Sequence, residues 1–152
     1  MGCASHPRTT SADEVRFVAW WCEDVAHGID RSPGELRSPQ ASEGALRLAD
    51  WAEGAAPGRA QHLRSRGQRW PGLRSLLAAG ALETRDGYLV VRDGIDRDTA
   101  LLAGRLAEAE NQDRRTAEVL VLTFLQPDEG LERELRRQLR EARAALDARI
   151  TP

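Results

Sequence analysis

The chain has 152 residues, of which 22 are basic and 24 are acidic, so its formal net charge at neutral pH is only −2. This length is typical of one domain with its own core. The balanced charge predicts no global attraction to nucleic acid or anionic lipid. All 22 basic residues are arginine, a bias that a GC-rich genome explains. The longest apolar run, residues 119–125, is far shorter than the ~20 residues of a membrane span.

The first ten residues are expected to form a flexible leader, and Cys3 in it is a candidate for lipidation. Residues 1–5, Met-Gly-Cys-Ala-Ser, are similar to the end of a bacterial lipoprotein signal, in which a small residue precedes the lipid-bearing cysteine. An apolar stretch upstream would complete that signal. This interpretation predicts a periplasmic protein or a membrane-anchored lipoprotein. If Met1 is the true start, we expect a cytoplasmic protein and an unmodified Cys3.

A first helix is predicted to begin at Ser11. Ser11 and Glu14 have the spacing of a capping box, and apolar residues follow at the three- and four-residue steps of an amphipathic helix. These residues are Val15, Val18, Ala19, Cys22, Val25, Ala26 and Ile29. Cys22 is expected to be a buried structural thiol. A loop over residues 28–39 and a weaker second helix over residues 42–53 should follow.

A further helical segment is predicted over residues 59–77. Gly67 and Pro71 within it indicate either a kink or two shorter helices. The segment also carries a basic patch, which we expect to be a solvated helix face because charged side chains are mostly exposed. Its members are Arg59, Arg64, Arg66, Arg69 and Arg74.

A short β-hairpin is predicted near residues 82–92. Gly80 is placed to end the preceding helix, and Asp86-Gly87 is a strong two-residue turn signal before a β-prone run at 88–91. One two-stranded ribbon is only marginally stable alone. We therefore expect the hairpin to lie against the helices.

A long helix is predicted from Asp96 or Asp98 to a break at Pro127-Asp128. The line of residues expected to face the core consists of Leu102, Leu106, Ala109, Asp113, Ala117, Leu120 and Phe124. Asp113 is an acid on this core-facing line and needs a partner. Because sequence neighbours do not face each other on a helix, we expect that partner to come from another segment.

The last helix is expected to run to the end of the chain. Its apolar seam consists of Leu131, Leu135, Leu139, Ala142, Leu146 and Ile150, and it either docks on the domain or pairs with a partner helix. The sequence thus predicts a mainly α fold, with four to five helices and one hairpin. A leader at residues 1–10 precedes a single domain at residues 11–152.

The sequence contains no evident catalytic or metal-binding constellation. Its three histidines lie in different segments and form no metal-ligand motif. Glu110 and Asp113 share a helix face, and paired carboxylates can act as acid and base. An ion-pair or capping role is the stronger interpretation. We therefore expect a protein that is not an enzyme and that uses no cofactor or metal.

Two motifs that occur in order resemble the YdbL-like family of small bacterial envelope proteins, a domain of unknown function. They are Arg69-x-Pro71-x-Leu73-x-x-Leu76-x-x-x-Gly80-x-Leu82-Glu83-Thr84-x-Asp86-Gly87-Tyr88-Leu89 and Ala109-Glu110-Asn111-x-Asp113-Arg114. The match covers about residues 59–152 and leaves residues 11–56 unexplained, and residues 119–130 depart from the family pattern. The resemblance implies a non-enzymatic accessory role, chaperone-like or scaffolding, beside larger envelope and lipid-transport proteins.

The two motifs predict one structural or interaction unit. We expect Asn111 and Asp113 to hydrogen-bond the backbone of the turn and so fix the hairpin against the long helix, because buried polar groups must be paired. The residues of this unit are Asp86, Gly87, Tyr88, Glu110, Asn111, Asp113 and Arg114. We expect a protein partner and no nucleic acid.

A winged-helix-like DNA-binding protein, using residues 59–92, is the alternative interpretation. Residues 73–83 would then form the recognition helix and the hairpin would form the wing. The basic patch would suit phosphate contacts. Pro71 near the start of that helix and a weak second wing strand argue against it.

Overall fold

The structure, a computed structural model, describes residues 11–27 and 57–150, without the side chains of Val25 and of residues 57–64. Its elements are α1 (Ala12–Ala26), α2 (Pro57–Ala78), β1 (Leu82–Arg85), β2 (Tyr88–Val91), α3 (Arg97–Leu125) and α4 (Glu129–Ala148). The predicted fold class, mainly α with one hairpin, is confirmed. None of the helices described is long and apolar enough to cross a membrane.

Helix α1 begins with the predicted capping box. The Glu14 amide donates to Ser11 Oγ at 3.2 Å, and the Ser11 amide donates to Glu14 Oε2 at 3.4 Å. The predicted apolar stripe is buried at Val15, Val18, Ala19, Cys22 and Ala26. Burial raises the pKa of the Cys22 thiol to about 12, which suits a structural thiol. Ile29, the loop at 28–39 and the helix at 42–53 lie outside the described residues.

Helix α2 is continuous through Pro71, so the prediction of two shorter helices is wrong. Pro71 lies on the exposed side of the helix. The helix continues past it because the residues that follow pack into the core through three buried leucines, Leu73, Leu76 and Leu77. Gly80 ends the helix in the left-handed conformation, with φ of 71°. The amide of Ala81 then donates to the Leu76 carbonyl, which is the Schellman arrangement.

The hairpin forms as predicted. Its strands pair antiparallel from Leu82–Val91 to Arg85–Tyr88. The turn residues Asp86 and Gly87 both have positive φ, 50° and 81°, as a type I′ turn requires. The hairpin lies against α3 and α4, so its turn is packed against other elements.

Gly87 packs so closely on α4 that a methyl group should not fit. A Cβ there would lie 2.7 Å from Arg140 Cγ and 3.1 Å from Arg140 Cα. We expect Gly87→Ala to cost about 2–3 kcal/mol, from the left-handed backbone and the overpacking together. Gly94 is the matched control, because it has φ of 82° but nothing within 4 Å of its Cβ position. Urea unfolding should show Gly94→Ala costing only about 1 kcal/mol; equal costs would contradict the close packing.

The buried face of helix α3 is shifted from the predicted stripe but overlaps it, since Ala117 is buried and Leu106, Leu120 and Phe124 pack partly buried against the core. Asp96 caps it by accepting from the Thr99 amide at 3.0 Å. Leu102 of the predicted stripe is 54% exposed, so the stripe is wrong at its start. The buried residues lie about one residue further along, and they are Ala103, Ala107, Glu110, Arg114, Ala117, Glu118, Val121 and Leu125. Three of them are charged and are paired by other elements, and apolar periodicity cannot detect such positions.

Helix α4 docks on the domain, chiefly against α1. Asp128 caps it by accepting from the Leu131 amide at 2.9 Å. The seam predicted from the sequence faces inward, with four members fully buried and the two end members partly buried. The buried members are Leu135, Leu139, Ala142 and Leu146, and the partly buried ones are Leu131 and Ile150.

The apolar core consists of two clusters. The first contains Val15, Val18, Ala19, Trp21, Cys22, Ala117, Val121, Leu125, Leu135 and Leu139. The second contains Leu73, Leu76, Leu77, Ala81, Leu82, Leu89, Ala103 and Ala107. Along α3, the charged residues Glu110 and Arg114 lie between the parts that belong to each cluster. The two apolar clusters are therefore separated by a polar layer.

Candidate functional site

The polar layer is the most unusual feature of the described residues. We name it the charge layer and define it as Glu23, His27, Arg66, Glu110, Arg114, Arg143 and Asp147, all of them buried. Burying a charge costs free energy unless it is paired and hydrogen-bonded. The geometry of each member shows how that cost is offset.

Glu23 joins α1 to two other helices. Arg66 binds it through two bonds, from Nη1 to Oε1 at 3.2 Å and from Nη2 to Oε2 at 2.8 Å. Arg143 Nε donates to the same Oε1 at 2.9 Å. Burial raises the pKa of Glu23, but the two guanidinium groups outweigh burial and hold this pKa far below its usual value. Glu23 is therefore an ionised link from α1 to α2 and α4.

Glu110 receives three guanidinium groups. Its Oε1 accepts from Arg66 Nε at 2.9 Å and from Arg114 Nε at 2.8 Å, while its Oε2 accepts from Arg69 Nη1 at 3.1 Å. Arg69 Nη2 also donates to Asp113 at 2.8 Å. The partner of Asp113 thus comes from another segment, as predicted.

These contacts correct the interpretation of the basic patch as a solvated face. Arg66 is only 1% exposed, and the Arg69 side chain is largely buried. The reason is the pairing with carboxylates on α1 and α3, which the local sequence does not contain. Arg74 is exposed, and the side chains of Arg59 and Arg64 lie outside the description.

Arg114 connects the hairpin to the layer. Its Nη1 donates to the carbonyl oxygen of Gly87 at 2.9 Å, and its Nη2 lies 3.4 Å from Asp147 Oδ2. That carboxylate oxygen also accepts from Thr84 Oγ1 of β1 at 2.6 Å. The turn and the first strand are therefore both bound to α3 and α4 through charged groups.

Asn111 binds the second strand directly. Its Oδ1 accepts from the Leu89 amide at 2.8 Å, and its Nδ2 donates to the Leu89 carbonyl at 2.9 Å. This is the type of contact expected for Asn111, although it falls on β2 and not on the turn. The carbonyl oxygen of Gly87 in the turn accepts a hydrogen bond from Arg114. Asp113, which is predicted to bind the turn as well, accepts a hydrogen bond from Arg69 of α2.

Removing the Asn111 amide should loosen the hairpin. Asn111→Ala leaves the Leu89 amide and carbonyl without partners in a buried position, which we expect to cost about 1–3 kcal/mol. Hydrogen exchange of the Leu89 amide should speed up together with the loss of stability. Gln112→Ala, an exposed position on the same helix, is the control. An unchanged Leu89 exchange rate in the Asn111 variant would contradict the account.

The remaining predicted unit residues occupy the turn. Tyr88 donates from its hydroxyl to Glu118 Oε2 at 3.3 Å. Its ring lies under the guanidinium groups of Arg115 and Arg143, at 5.2 and 5.6 Å, within cation–π range. Asp86 is exposed and serves the turn through its backbone conformation.

Four members of the layer are not among the residues predicted from the sequence, namely Glu23, His27, Arg143 and Asp147. A weak signal existed in α4, where Arg143 and Asp147 are four residues apart and each follows a seam residue directly. Such a position on the edge of an apolar seam ordinarily indicates a solvated flank. Within the described residues, no group of His, Cys, Asp and Glu could hold a metal ion.

A groove of about 420 Å³ lies between α1 and the end of α4. It is lined by Asp13, Arg16, Phe17, Trp20, Trp21, Asp24 and Arg149. Trp20 Nε1 donates to Gln138 of α4 at 3.1 Å, which fixes the ring. The groove is therefore lined by aromatic rings and by charges of both signs. Cys3 lies outside the described residues.

No protein-family model, curated protein or solved structure matches the chain. The YdbL-like resemblance therefore stays a prediction.

Proposed function

We propose that this chain is a non-enzymatic accessory protein of the bacterial cell envelope that works by binding a larger protein partner. Lipid on Cys3 would anchor it to a membrane. The role is chaperone-like or scaffolding, as the YdbL-like resemblance implies. The observation that carries the binding role is the aromatic groove on α1.

The motif residues bind other parts of the same chain, and this supports a role that does not involve catalysis. Asn111 and Arg114 bind the hairpin backbone, and Glu110 is occupied by three guanidinium groups. Gly87 allows the turn to approach α4. The residues that resemble the family thus have a structural role in this chain, because they stabilise the domain. In this proposal the partner binds to the outer surface of that domain.

The groove has the composition of a protein-binding surface. Aromatic residues and arginine dominate the binding energy of protein interfaces, and Phe17, Trp20 and Arg16 lie together along it. Asp13 and Asp24 add acidic groups beside the basic Arg16 and Arg149, and this arrangement would select partners by charge. We expect the partner to present an apolar segment flanked by residues of both charges.

Photo-crosslinking in the source bacterium tests this proposal. A photoreactive amino acid replaces Phe17 in the groove or, as the matched control, Arg105 on the exposed face of α3. We expect a discrete adduct with one envelope protein from position 17 and none from position 105. The same adducts from both positions, or none from either, would overturn the binding role.

Fractionation of the same cells tests the compartment. We expect the protein in the envelope fraction, with a fatty-acid label that Cys3→Ser removes. Unlabelled protein in the cytosolic fraction would overturn the envelope assignment. A salt-dependent gel shift with duplex DNA would favour the winged-helix alternative instead.

A further inference from the structure

Two arginines on neighbouring helices meet the hairpin at its turn and have no acidic partner. Arg115 of α3 is exposed, and its Cζ lies 5.2 Å from the centre of the Tyr88 ring. Arg140 of α4 is also exposed, and its Cα, Cβ and Cγ pack against Gly87, the residue before Tyr88. Within residues 11–27 and 57–150, neither guanidinium group forms an ion pair.

Contacts within the domain hold both arginines in place. The Tyr88 ring that Arg115 covers is fixed by its hydroxyl, which donates to Glu118 at 3.3 Å. Arg140 Nε donates to the backbone carbonyl oxygen of Arg136 at 3.2 Å, and its two terminal nitrogens make no hydrogen bond to the described residues. Side chains that are ordered before binding lose less conformational entropy when a ligand arrives. The turn therefore presents two preorganised cations.

The acidic side chains beside these arginines do not neutralise them. Glu118 is bound by Arg136 as well as by Tyr88, and Glu132 pairs with the same arginine at 2.9 Å. Asp86 in the turn is exposed, and it forms no ion pair with any residue that the structure describes. The turn thus combines two uncompensated cations with one uncompensated acid, a local positive excess in a chain whose net charge is −2.

We propose that the hairpin turn binds a carboxylate of an acidic protein segment, through a surface that we name the turn surface. It consists of Asp86, Tyr88, Arg115 and Arg140. A planar guanidinium group matches a carboxylate through two parallel N–H bonds, and tyrosine and arginine are enriched among the residues that dominate binding at protein interfaces.

The composition of the turn surface favours a protein segment over nucleic acid. Nucleic acid binds through many phosphate contacts at once, and the turn surface has only two uncompensated cations. A single carboxylate side chain needs no more than these. The turn surface shares no residue with the groove between α1 and α4, so this inference does not depend on the proposed function.

Titration of the whole protein with a defined acidic peptide tests the proposal. The ligand is acetyl-Gly-Glu-Gly-Glu-Gly-amide at low salt, and the same peptide with glutamine in place of glutamate is the neutral control. In NMR spectra we expect saturable shifts of the Nε–H signals of Arg115 and Arg140 and of the Tyr88 ring. Added salt should weaken binding, because exposed charges are screened. Equal shifts from the neutral peptide, or equal shifts at the exposed Arg105 of α3, would overturn the proposal.

Substitutions in the turn surface predict changes of opposite sign. Arg115→Met and Arg140→Met should each weaken binding of the acidic peptide about fivefold, through the loss of a charge-assisted pair. Asp86→Asn should strengthen it about twofold, because a repelling charge is removed. Asparagine tolerates the positive φ of 50° at this position. Arg105→Met is the matched control and should bind like the wild-type protein.

Three results would contradict the turn surface. They are unchanged binding in both arginine variants, weaker binding in Asp86→Asn, and inorganic phosphate that binds the same site as tightly as the peptide. Methionine keeps the Cβ and Cγ positions of Arg140 that pack on Gly87, and urea unfolding checks that the variants fold. If one does not fold, the titration of the wild-type protein with the two peptides decides alone.

Discussion

Replacing Glu23 with glutamine is expected to cost about 3–5 kcal/mol in the free energy of unfolding, because it leaves two buried guanidinium groups without their counter-charge. Arg66 and Arg143 both bind Glu23 and are essentially inaccessible to water. Glutamine has nearly the same shape, so the loss reports charge and not packing. Urea unfolding at pH 7 measures it.

Two controls separate this effect from a general loss of charge. Glu129→Gln removes the exposed partner of Arg133, and exposed pairs of this kind contribute little, so we expect no measurable change. The second control is acid titration. The pKa of Glu23 is held far below its usual value of 4.5, so its stabilisation is complete above that pH and is lost as the pH falls. E23Q should lack this part of the acid loss; an unchanged acid profile would contradict the pairing.

Replacing Arg114 with methionine is expected to have an effect of similar size, about 3–5 kcal/mol. Two buried carboxylates, Glu110 and Asp147, each lose a cation, and the Gly87 carbonyl loses its donor. The loss should be largest at the hairpin, where the exchange of the strand amides should become faster than that of α1. Urea unfolding and hydrogen exchange together measure both effects.

The neighbouring arginine provides the matched control for this variant. Arg115 is exposed, and its guanidinium group lies over the face of the Tyr88 ring. We expect Arg115→Met to cost less than about 1 kcal/mol. Equal costs at the two positions would mean that burial and pairing do not distinguish them.

Local signals in the sequence were sufficient for the boundaries of most elements. The capping box at Ser11, the helix end at Gly80 and the turn at Asp86-Gly87 all act through bonds within a few residues. The seam of α4 is predictable for the same reason, because its apolar residues repeat without interruption. Such features do not depend on which segments later meet in space.

The charge layer could not be predicted in this way. Its pairs join residues far apart in the chain, such as Glu23 with Arg143 and His27 with Asp147, separated by 120 residues each. A buried ion pair breaks the apolar period on both partners, so the apolar residues of α3 predict a stripe that is shifted from the buried one. Only the complete fold shows that Glu110 and Arg114 belong inside.

The contact of Asn111 lies between these two cases. The need of buried polar groups for partners predicts that Asn111 binds the backbone of the turn, and Asn111 binds the neighbouring β2 backbone. The same reasoning does not extend to Glu23, because the two motifs begin at Arg69 and do not include α1. The contribution of α1 to the layer therefore had no signal in the sequence.

The buried ion pairs act together to hold α1, α2 and α4 on α3. A double-mutant cycle with Glu23→Gln and Arg66→Met, followed by urea unfolding, measures this cooperation. We expect the two losses to overlap, with an interaction energy of about 2 kcal/mol or more. Losses that add within about 0.5 kcal/mol would contradict the claim.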